Sequence, residues 1–385
     1  MLSLFIARRA FPAACALMLL LVACAPAARP PAAPPPAGAA GPGAAPNAAA
    51  PGAATGLAAV IEAARAEGGE LSVLAGLSGS SESVPRWAEG ASRAYGIPLN
   101  VRYTPAPAMP EVVTRLISEK QAGRPASTDV LIASSENIVS MIQADALAHV
   151  DWAAWAPNVQ DARLVAPGGV AVQLAVRTPG ITYNTNRLAA DALPTSLQDL
   201  LKPQYKGQVA STPYAAHFDK LATPELWGEA RTTEYVTRLA DQISGVLRCS
   251  ELDRVANGEF DLFAIDCGAE WRSMAAKGAP VGHVLPTDAA LLVYWYVGVP
   301  AHAPHPNAAK LFVNYLLGRE GQDILFDVEQ VDHPLVPGSK GVAEIEALQA
   351  RGVQFTETNV QFYERNDVQV MEKYAADYSR LLQKK

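Results

Sequence analysis

Apolar and polar positions between residues 57 and 178 alternate in a way that predicts helices and strands in turn. Stretches with helical spacing and short apolar runs follow one another at 57–66, 71–74, 84–95, 99–103, 109–121 and 129–133. In the third helical stretch Met109, Val113 and Leu116 fall on one face. A chain with this alternation is expected to form a mainly parallel sheet with helices on both faces.

The same rhythm returns between residues 205 and 286. The strands of this second region are predicted near Val209, Val246, Phe260 and Val281. Two longer β-like segments, 170–183 and 291–299, flank it. We therefore expect an α/β protein with two lobes.

The end of the chain predicts a further helix. Its apolar residues are spaced three and four apart, at Val368, Met371, Ala375, Tyr378 and Leu382. This spacing places them on one helical face. We expect an amphipathic helix over 367–385 that packs on one lobe.

The first 24 residues have the features of an export signal. Arg8 and Arg9 precede an apolar run over 13–23, which is too short to span a membrane as a helix. The run ends in Leu-Val-Ala-Cys, which resembles a bacterial lipobox and implies cleavage before Cys24 and lipidation of its thiol. The alternatives are an ordinary signal cleaved after an Ala-rich site and a twin-arginine signal.

Residues 25–56 contain 15 Ala, 9 Pro and 5 Gly among 32 residues, and none is acidic. Such a segment has no large apolar side chains to bury, so we predict a disordered tether. Only 3 of the 31 basic residues and none of the 38 acidic ones precede residue 57. The remaining chain is therefore acidic, which disfavours a nucleic-acid partner because phosphate binding needs clustered Lys and Arg.

Residues 180–209 read GITYNTNRLAADALPTSLQDLLKPQYKGQV. They predict a strand that ends near Tyr183, a turn, and a short helix opened by a capping box of Ser196 and Asp199 and ended by Pro203. An ordinary connection between a helix and a strand fits the same pattern. The run also resembles "YNT…LP.S..DLL.P.YKG", which is typical of family 1 extracellular solute-binding proteins.

A second block, HPNAAKLFVNYLLGREGQ at 305–322, predicts a helix that begins at Pro306 and another that follows Gly318. A pair of core helices fits this pattern whatever the function. The block is also similar to "hPnAAklFv.yLlg.eGQ" of the same family. With weaker similarity from about residue 71, the resemblance covers most of the chain after residue 56.

The resemblance implies the two-lobed fold of type II periplasmic binding proteins, in the branch that carries ferric iron or organic solutes. Two crossover strands, expected in the segments 170–183 and 291–299, would act as the hinge. Lobe 1 would comprise residues 57–178 and 292–338. Lobe 2 would comprise residues 179–291 and 339–385.

The same resemblance implies a function in transport rather than catalysis. We expect a monomeric lipoprotein outside the cytoplasm that captures a small solute by hinge closure, without a cofactor. It would pass this solute to the permease of an ABC importer. A sensor subunit that presents the ligand to a membrane receptor is an alternative.

Ligands of open α/β sheets bind beyond the carboxyl ends of strands, where loops and helix N-termini expose backbone N–H groups. Five segments meet this rule. Their candidate ligand-binding residues are Ser78, Ser80, Ser81, Ser135, Glu136, Tyr183, Thr212, Tyr214, Asp266, Glu270, Trp271 and Tyr294. The serines suit a carboxylate or phosphonate, whereas the aromatic and acidic residues suit an organic cation.

Two other activities are less well supported. Residues 76–81 are similar to the nucleophile elbow of hydrolases, but Ser80 stands where its last glycine is needed. Iron-carrying members of the family have adjacent tyrosines after the strand that corresponds to 260–265, whereas this chain continues with Asp266. The remaining hypothesis for a ferric site, which prefers oxygen ligands, combines Asp266 with Tyr183, Tyr294 or Tyr296.

The cysteines divide by position. Cys15 lies in the signal and Cys24 is the proposed lipidation site. Cys249 and Cys267 each follow an apolar run predicted as a strand. If those strands are neighbours, an exported protein can join them in a disulfide, which we predict; two buried thiols are the alternative.

Overall fold

The computed structural model describes residues 56–77, 79–106 and 109–383. The predicted signal peptide, the lipidation site Cys24 and the tether over 25–55 lie outside the described residues, as does the candidate ligand-binding residue Ser78. Within the described ranges no helix is long and apolar enough to cross a membrane.

The described chain shows the predicted alternation of helices and strands. The strands are β1 (Glu70–Ala75), β2 (Asn100–Pro105), β3 (Val130–Ser134), β4 (Ala171–Arg177), β5 (Ile181–Asn184), β6 (Val209–Ser211), β7 (Ile243–Val246), β8 (Leu262–Phe263), β9 (Val281–Val284), β10 (Leu291–Gly298) and β11 (Thr356–Thr358). The helices are α1 (Leu57–Ala66), α2 (Ser80–Tyr95), α3 (Met109–Gln121), α4 (Ser135–Gln143), α5 (Phe218–Leu221), α6 (Glu229–Gln242), α7 (Asp253–Ala256), α8 (Glu270–Ala276), α9 (Pro306–Leu316), α10 (Arg319–Glu329), α11 (Val342–Ala350), α12 (Val360–Arg365) and α13 (Val368–Leu382).

A six-stranded sheet defines lobe 1 and contains β1 to β4, β10 and β11. β1 is parallel to β2 and β3, and β10 is antiparallel to both β3 and β4. Successive side chains of β3 enter different cores, with Val130 and Ile132 on one face and Leu131 and Ala133 on the other. This is the burial expected of a strand covered by helices on both faces.

A five-stranded sheet with the order β7-β6-β8-β5-β9 defines lobe 2. β6 is parallel to β7 and β8, whereas β5 is antiparallel to both of its neighbours. The strand predicted over 260–265 is shorter than expected, because Ile265 adopts a left-handed backbone with φ of 45° that ends the extended run.

In the described chain, the backbone crosses between the lobes at 178–180, at 285–290 and at 366–367. The first crossing lies inside the predicted segment 170–183. The second precedes the predicted segment 291–299, because β10 belongs wholly to the sheet of lobe 1. The third lies later in the chain than the crossing implied by the predicted lobe boundary at residues 338–339.

The expected assignment of 339–385 to lobe 2 is wrong for its first part. β11 pairs with Leu291–Val293 of β10, the half of that strand that β3 leaves without a partner. α12 then packs on α4 of lobe 1. α13 packs on lobe 2, against α5 and α6, although Val368 and Met371 at its start belong to a core cluster of lobe 1.

The segment 180–209 keeps its predicted order but forms a tighter helix than expected. Residues Gln198–Leu201 form a single 3-10 turn rather than an α-helix. The Asp199 carboxylate accepts hydrogen bonds from the Thr195 N–H and hydroxyl groups, each at 2.9 Å, and the Ser196 hydroxyl accepts from the Asp199 N–H at 3.1 Å. Only half of the predicted capping box is therefore present, because the Asp199 carboxylate bonds Thr195 in place of the Ser196 N–H. Pro203 leaves room for one turn only. The predicted helices after His305 and Gly318 are confirmed as α9 and α10.

Candidate functional site

A cavity of about 450 Å³ lies between the lobes, against the crossover strands. Lobe 1 contributes α3 and the start of α4, lobe 2 contributes the loop after β6, and α12 and α13 form a further wall. The ionisable and aromatic side chains of its lining include Glu136, Arg177, Tyr214, His217, Asp219, Lys220, Trp295, Tyr363 and Glu372. A cavity of this size is typical of small-molecule sites.

Glu136 stands on the lobe 1 wall and is held there by hydroxyl groups. β3 ends at Ser134 and α4 begins at the next residue. The Ser134 hydroxyl donates to Glu136 Oε1 at 2.8 Å, and the Tyr363 hydroxyl donates to Oε2 at 3.2 Å. Ser135 is buried and its hydroxyl donates to the Tyr294 carbonyl at 3.1 Å, so it supports the sheet instead of facing the cavity.

The loop after β6 brings Tyr214 and His217 into the cavity lining. Ala215 and His217 have left-handed backbone, with φ of 50° and 66°, a conformation that is unfavourable for residues with a side chain and is often retained at functional sites. The Thr212 hydroxyl accepts the Ala216 N–H at 2.8 Å. Of the two residues predicted here, Tyr214 therefore reaches the cavity, whereas Thr212 is buried and supports the loop.

Burial and nearby charge hold His217 neutral. Burial lowers the pKa of His217 well below its usual value, and the positive charges of Lys220 and Arg177 lower it further. The Asp266 carbonyl lies near the ring and acts to raise the pKa, but neither ring nitrogen has a well-aligned hydrogen-bond partner among the described residues. The neutral ring therefore offers one N–H donor and one acceptor to a ligand.

Asp219 and Lys220 form an ion pair at the same wall, with Lys220 Nζ 3.3 Å from Asp219 Oδ2. Burial acts to lower the pKa of Lys220, but the charges of Asp219 and Glu136 outweigh burial and the pKa is raised. Burial raises the pKa of Asp219. The shift of Lys220 indicates that this part of the cavity favours positive charge.

Arg177 lies at the hinge side of the cavity, at the end of β4. Its guanidinium nitrogens lie 2.9 Å from Glu329 of α10 and 3.3 Å from Glu270 of α8, so it joins carboxylates of both lobes. It also lies 5.2 Å from the centre of the Trp295 ring. The side chain is only 3% exposed, yet its Nε has no hydrogen-bond partner among the described residues.

The described residues of the serine-rich loop after β1 do not line the cavity, and this includes the predicted Ser80 and Ser81. The Gly79 N–H donates to the carboxylate of Glu329. Ser80 begins α2 and is fully buried, while Ser81 is exposed. The start of α2 does attract an anion, as helix N-termini do, but the anion is a carboxylate of the protein itself.

Asp266 and Glu270 lie beside the cavity, outside its lining. The Asp266 carboxylate accepts the N–H groups of Gly180 at 3.1 Å and Gly268 at 2.8 Å and the Thr182 hydroxyl at 2.5 Å. Burial raises the pKa of Asp266 to about 7. Asp266 thus connects the first crossing with the loop after β8. Glu270 forms an ion pair with Arg177 at the hinge.

Three predicted aromatic residues are also absent from the lining. Trp271 stacks on His283, with ring centres 4.7 Å apart. Tyr183 packs with the lobe 2 core, and Tyr294 lines a separate cavity on the other face of β10. Trp295 faces the site instead, because successive residues of a strand point to opposite sides.

The tyrosines of the iron-binding hypothesis do not meet Asp266. Tyr183, Tyr294 and Tyr296 are all absent from the cavity lining, and the Tyr296 hydroxyl accepts the Val360 N–H at 3.1 Å. In the part of the chain that the structure describes, no group of three or more His, Cys, Asp or Glu side chains is arranged to hold a metal ion.

A disulfide joins Cys249 and Cys267, whose Cα atoms are 6.0 Å apart. The preceding strands, β7 and β8, are not neighbours as the prediction supposed, because β6 lies between them. The bridge forms beyond the ends of the strands, where it meets the loop from β6. The Tyr214 hydroxyl accepts the Cys249 N–H at 3.2 Å and lies 3.7 Å from Cys267 Sγ. The disulfide therefore supports a side chain of the cavity.

Sequence reasoning missed Arg177, His217, Lys220 and Tyr363. One signal was available for Arg177, because a charge that ends a strand as apolar as β4 needs a partner or a ligand. His217 and Lys220 lie beyond the turn that directly follows β6. Tyr363 reaches the cavity only because α12 returns to lobe 1.

Residues 127–346, more than half of the chain, match the family described as bacterial extracellular solute-binding protein. The chain belongs to this family, which confirms the resemblance drawn from its two sequence blocks.

Among curated relatives, the chain is 25% identical over 170 residues to the "Fe(3+)-binding periplasmic protein" of Serratia marcescens, which covers 40% of this chain and 48% of that protein. It is 27% identical over 201 residues to the "Major ferric iron-binding protein" of Neisseria gonorrhoeae, which covers 48% of this chain and 60% of that protein. The chain thus spans about half the length of the curated relatives it matches.

Solved structures with the same fold include the substrate-binding protein of an ABC transporter from Agrobacterium tumefaciens, with a TM-score of 0.66 and 18% identity over 82% of this chain and 96% of that one. Iron-bound HitA from Pseudomonas aeruginosa has a TM-score of 0.62 and 18% identity over 82% and 99% of the two chains. AgtB from A. tumefaciens, in complex with agropinic acid, gives the same values. These similarities confirm the two-lobed periplasmic-binding-protein fold.

Proposed function

We propose that this protein is the solute-binding component of an ABC importer and captures a small organic ion in the cavity between its lobes. The observation that carries this proposal is a cavity of about 450 Å³ whose charged side chains come from lobe 1, lobe 2 and the hinge. A ligand that contacts all three binds best when the lobes are closed. Binding then shifts the population toward the closed state.

Ferric iron is a second candidate, because the phenols of Tyr214 and Tyr363 share the cavity with Glu136 and the curated relatives are named for ferric iron. We favour an organic ion because both phenols already have partners. The Tyr363 hydroxyl donates to Glu136 and the Tyr214 hydroxyl accepts the Cys249 N–H. Burial raises the pKa of both phenols, which opposes formation of the phenolates that ferric iron prefers.

Export and lipid anchoring through Cys24 belong to the same proposal. The signal-like segment before Cys24 and the family match support them. The variant Cys24→Ser should move the protein from the membrane fraction to the soluble fraction or leave its signal uncleaved. An unchanged membrane fraction of protein with a normally cleaved signal would contradict the lipid anchor. The alternative role, as a sensor subunit, uses the same cavity but a different membrane partner. Crosslinking distinguishes the two roles, because it would recover a receptor instead of an ABC permease.

A thermal-shift screen of the purified protein against ferric citrate, polyamines, aminophosphonates and small carboxylates tests the function. A ligand raises the unfolding temperature by an amount set by its concentration relative to Kd. Small-angle scattering with the best ligand should then show a smaller radius of gyration. An unchanged radius at saturation would refute hinge closure.

Two variants locate the site in the same screen. His217→Asn removes the ring that faces the cavity, while asparagine tolerates the left-handed backbone of this position. It should reduce the thermal shift. Ser81→Ala is the matched control, because Ser81 is exposed and absent from the lining. A thermal shift in His217→Asn as large as that in Ser81→Ala would show that the ligand binds elsewhere.

A further inference from the structure

We infer that the ligand is amphoteric, with an ammonium group that binds Glu136 and an acidic group, either carboxylate or phosphonate, that binds Arg177 and His217. This inference rests on the proposed function and names the class of its ligand. It is argued from side chains of the cavity lining that lack a hydrogen-bond partner or an ion-pair partner among the described residues.

Glu136 provides the site for the ammonium group. Its carboxylate partners in the described chain are the hydroxyls of Ser134 and Tyr363, which are neutral donors. Lys220 is already paired with Asp219. Glu136 also feels the charge of Lys220, whose pKa it raises, but its hydrogen bonds come from hydroxyls, so the carboxylate is still suited to an incoming cation.

Arg177 and His217 provide the site for the acidic group. The terminal nitrogens of Arg177 contact Glu270 and Glu329, but its buried Nε has no partner among the described residues. The ring nitrogens of His217 are also without a well-aligned hydrogen-bond partner there, although the Asp266 carbonyl lies near the ring. Buried donors are nearly always hydrogen-bonded in native proteins. Both side chains line the cavity, but the unpaired nitrogens themselves are buried, so an oxygen of the ligand supplies the missing acceptor once the side chains of the lining shift to admit it.

The charges of the lining exclude a simple anion. Glu136, Asp219 and Glu372 outnumber Arg177 and Lys220, and the two basic groups already pair with carboxylates of the protein. A ligand that carried only negative charge would therefore meet an acidic cavity. A ligand with its own ammonium group avoids this repulsion.

The two poles of such a ligand would bind different parts of the molecule. Glu136 belongs to α4 of lobe 1, whereas His217 follows β6 of lobe 2. An amphoteric ligand therefore links the lobes, while a ligand with one charged group engages one wall only. The inference thus predicts that closure needs both groups in one molecule.

Isothermal titration with matched probes tests the inference. 3-Aminopropionate and 2-aminoethylphosphonate carry both groups, whereas propionate, ethylphosphonate and propylamine carry one. We expect at least one amphoteric probe to bind at least tenfold more tightly than its matched single-charge probes and to reduce the radius of gyration. Glu136→Gln should weaken that binding at least tenfold and bring it close to that of the matched anion. Glu111→Gln, at an exposed position of α3, is the control and should bind as the unchanged protein does.

Circular dichroism and thermal unfolding of both variants establish that they are folded. Binding of a single-charge probe or of ferric citrate that equals or exceeds that of every amphoteric probe would overturn the inference. The proposed function would survive if that probe reduced the radius of gyration. Unchanged binding of the amphoteric probe by Glu136→Gln would also overturn the inference. If no probe and no member of the wider screen binds, the inference and the proposed function both fail.

Discussion

Removal of the disulfide between Cys249 and Cys267 should destabilise the protein by about 3 kcal/mol. The bridge joins residues with a sequence separation of 18, and loop closure of this length lowers the entropy of the unfolded chain by an amount worth about 3 kcal/mol at 25 °C. An unfolding entropy of about 2.1 cal/mol/K per residue converts this into a decrease of about 4 to 5 °C in Tm for a domain of this size.

The double variant Cys249→Ala/Cys267→Ala and the reduced unchanged protein separate the bridge from the packing of its sulfur atoms. Both lose the bridge, but only the variant also loses the buried sulfurs, so it should be the less stable of the two. Urea unfolding and calorimetry measure the free energy and Tm. A stability loss below about 0.5 kcal/mol in the reduced protein would refute the loop-closure reasoning.

Loss of the bridge should also weaken ligand binding, because the hydroxyl of Tyr214 bonds the Cys249 N–H and contacts Cys267. Titration of the ligand from the screen into oxidised and reduced protein, below the unfolding temperature of both, measures this effect. Equal affinities would show that Tyr214 keeps its position without the disulfide.

Three other changes test separate parts of the structure. Gly90→Ala should destabilise the protein by about 1 to 3 kcal/mol despite the helix preference of alanine, because its Cβ would lie 1.8 Å from the Tyr315 hydroxyl oxygen; equal or greater stability in urea would contradict this clash. Burial lowers the pKa of His333 from 6.5 to about 3, so its neutral form stabilises the fold above pH 6.5 and this stability is lost as pH falls toward 3. Between pH 7 and pH 5 the free energy of unfolding of His333→Gln should therefore fall by about 2 kcal/mol less than that of the unchanged protein. Parallel curves of unfolding free energy against pH, measured with urea, would refute this. The guanidinium of Arg365 in α12 donates to the Glu225 carboxylate of lobe 2 at 2.8 and 3.1 Å. If this contact favours closure, Glu225→Gln should weaken ligand binding up to about fivefold, the equivalent of about 1 kcal/mol. An unchanged Kd would show that the contact does not favour closure.

Local patterns in the sequence predicted the elements of the fold well. The apolar run of β3 and the helices that begin at Pro306 and after Gly318 depend on nearby residues, and the structure has them where the pattern placed them. The pairing of β11 with β10 depends on residues that are distant in sequence. No local pattern marks such a contact, and this is why the boundary of lobe 2 was misplaced.

The candidate site could be predicted only in part. Glu136 and Tyr214 were found because each follows the end of a strand. β10 is apolar on both faces, so its sequence does not show that Trp295 rather than Tyr294 faces the cavity. The loop after β1 has the composition of an anion site, but its anion comes from Glu329, which is 250 residues away in sequence.

The wall that α13 contributes to the cavity has a consequence for biosynthesis. Val368, Met371 and Ala375 belong to this wall, whereas both sheets and the charged groups of the hinge are complete in sequence before them. A chain whose synthesis stops before α13 therefore lacks one wall of the binding cavity. Products truncated before this helix should lack tight ligand binding even if both lobes have formed.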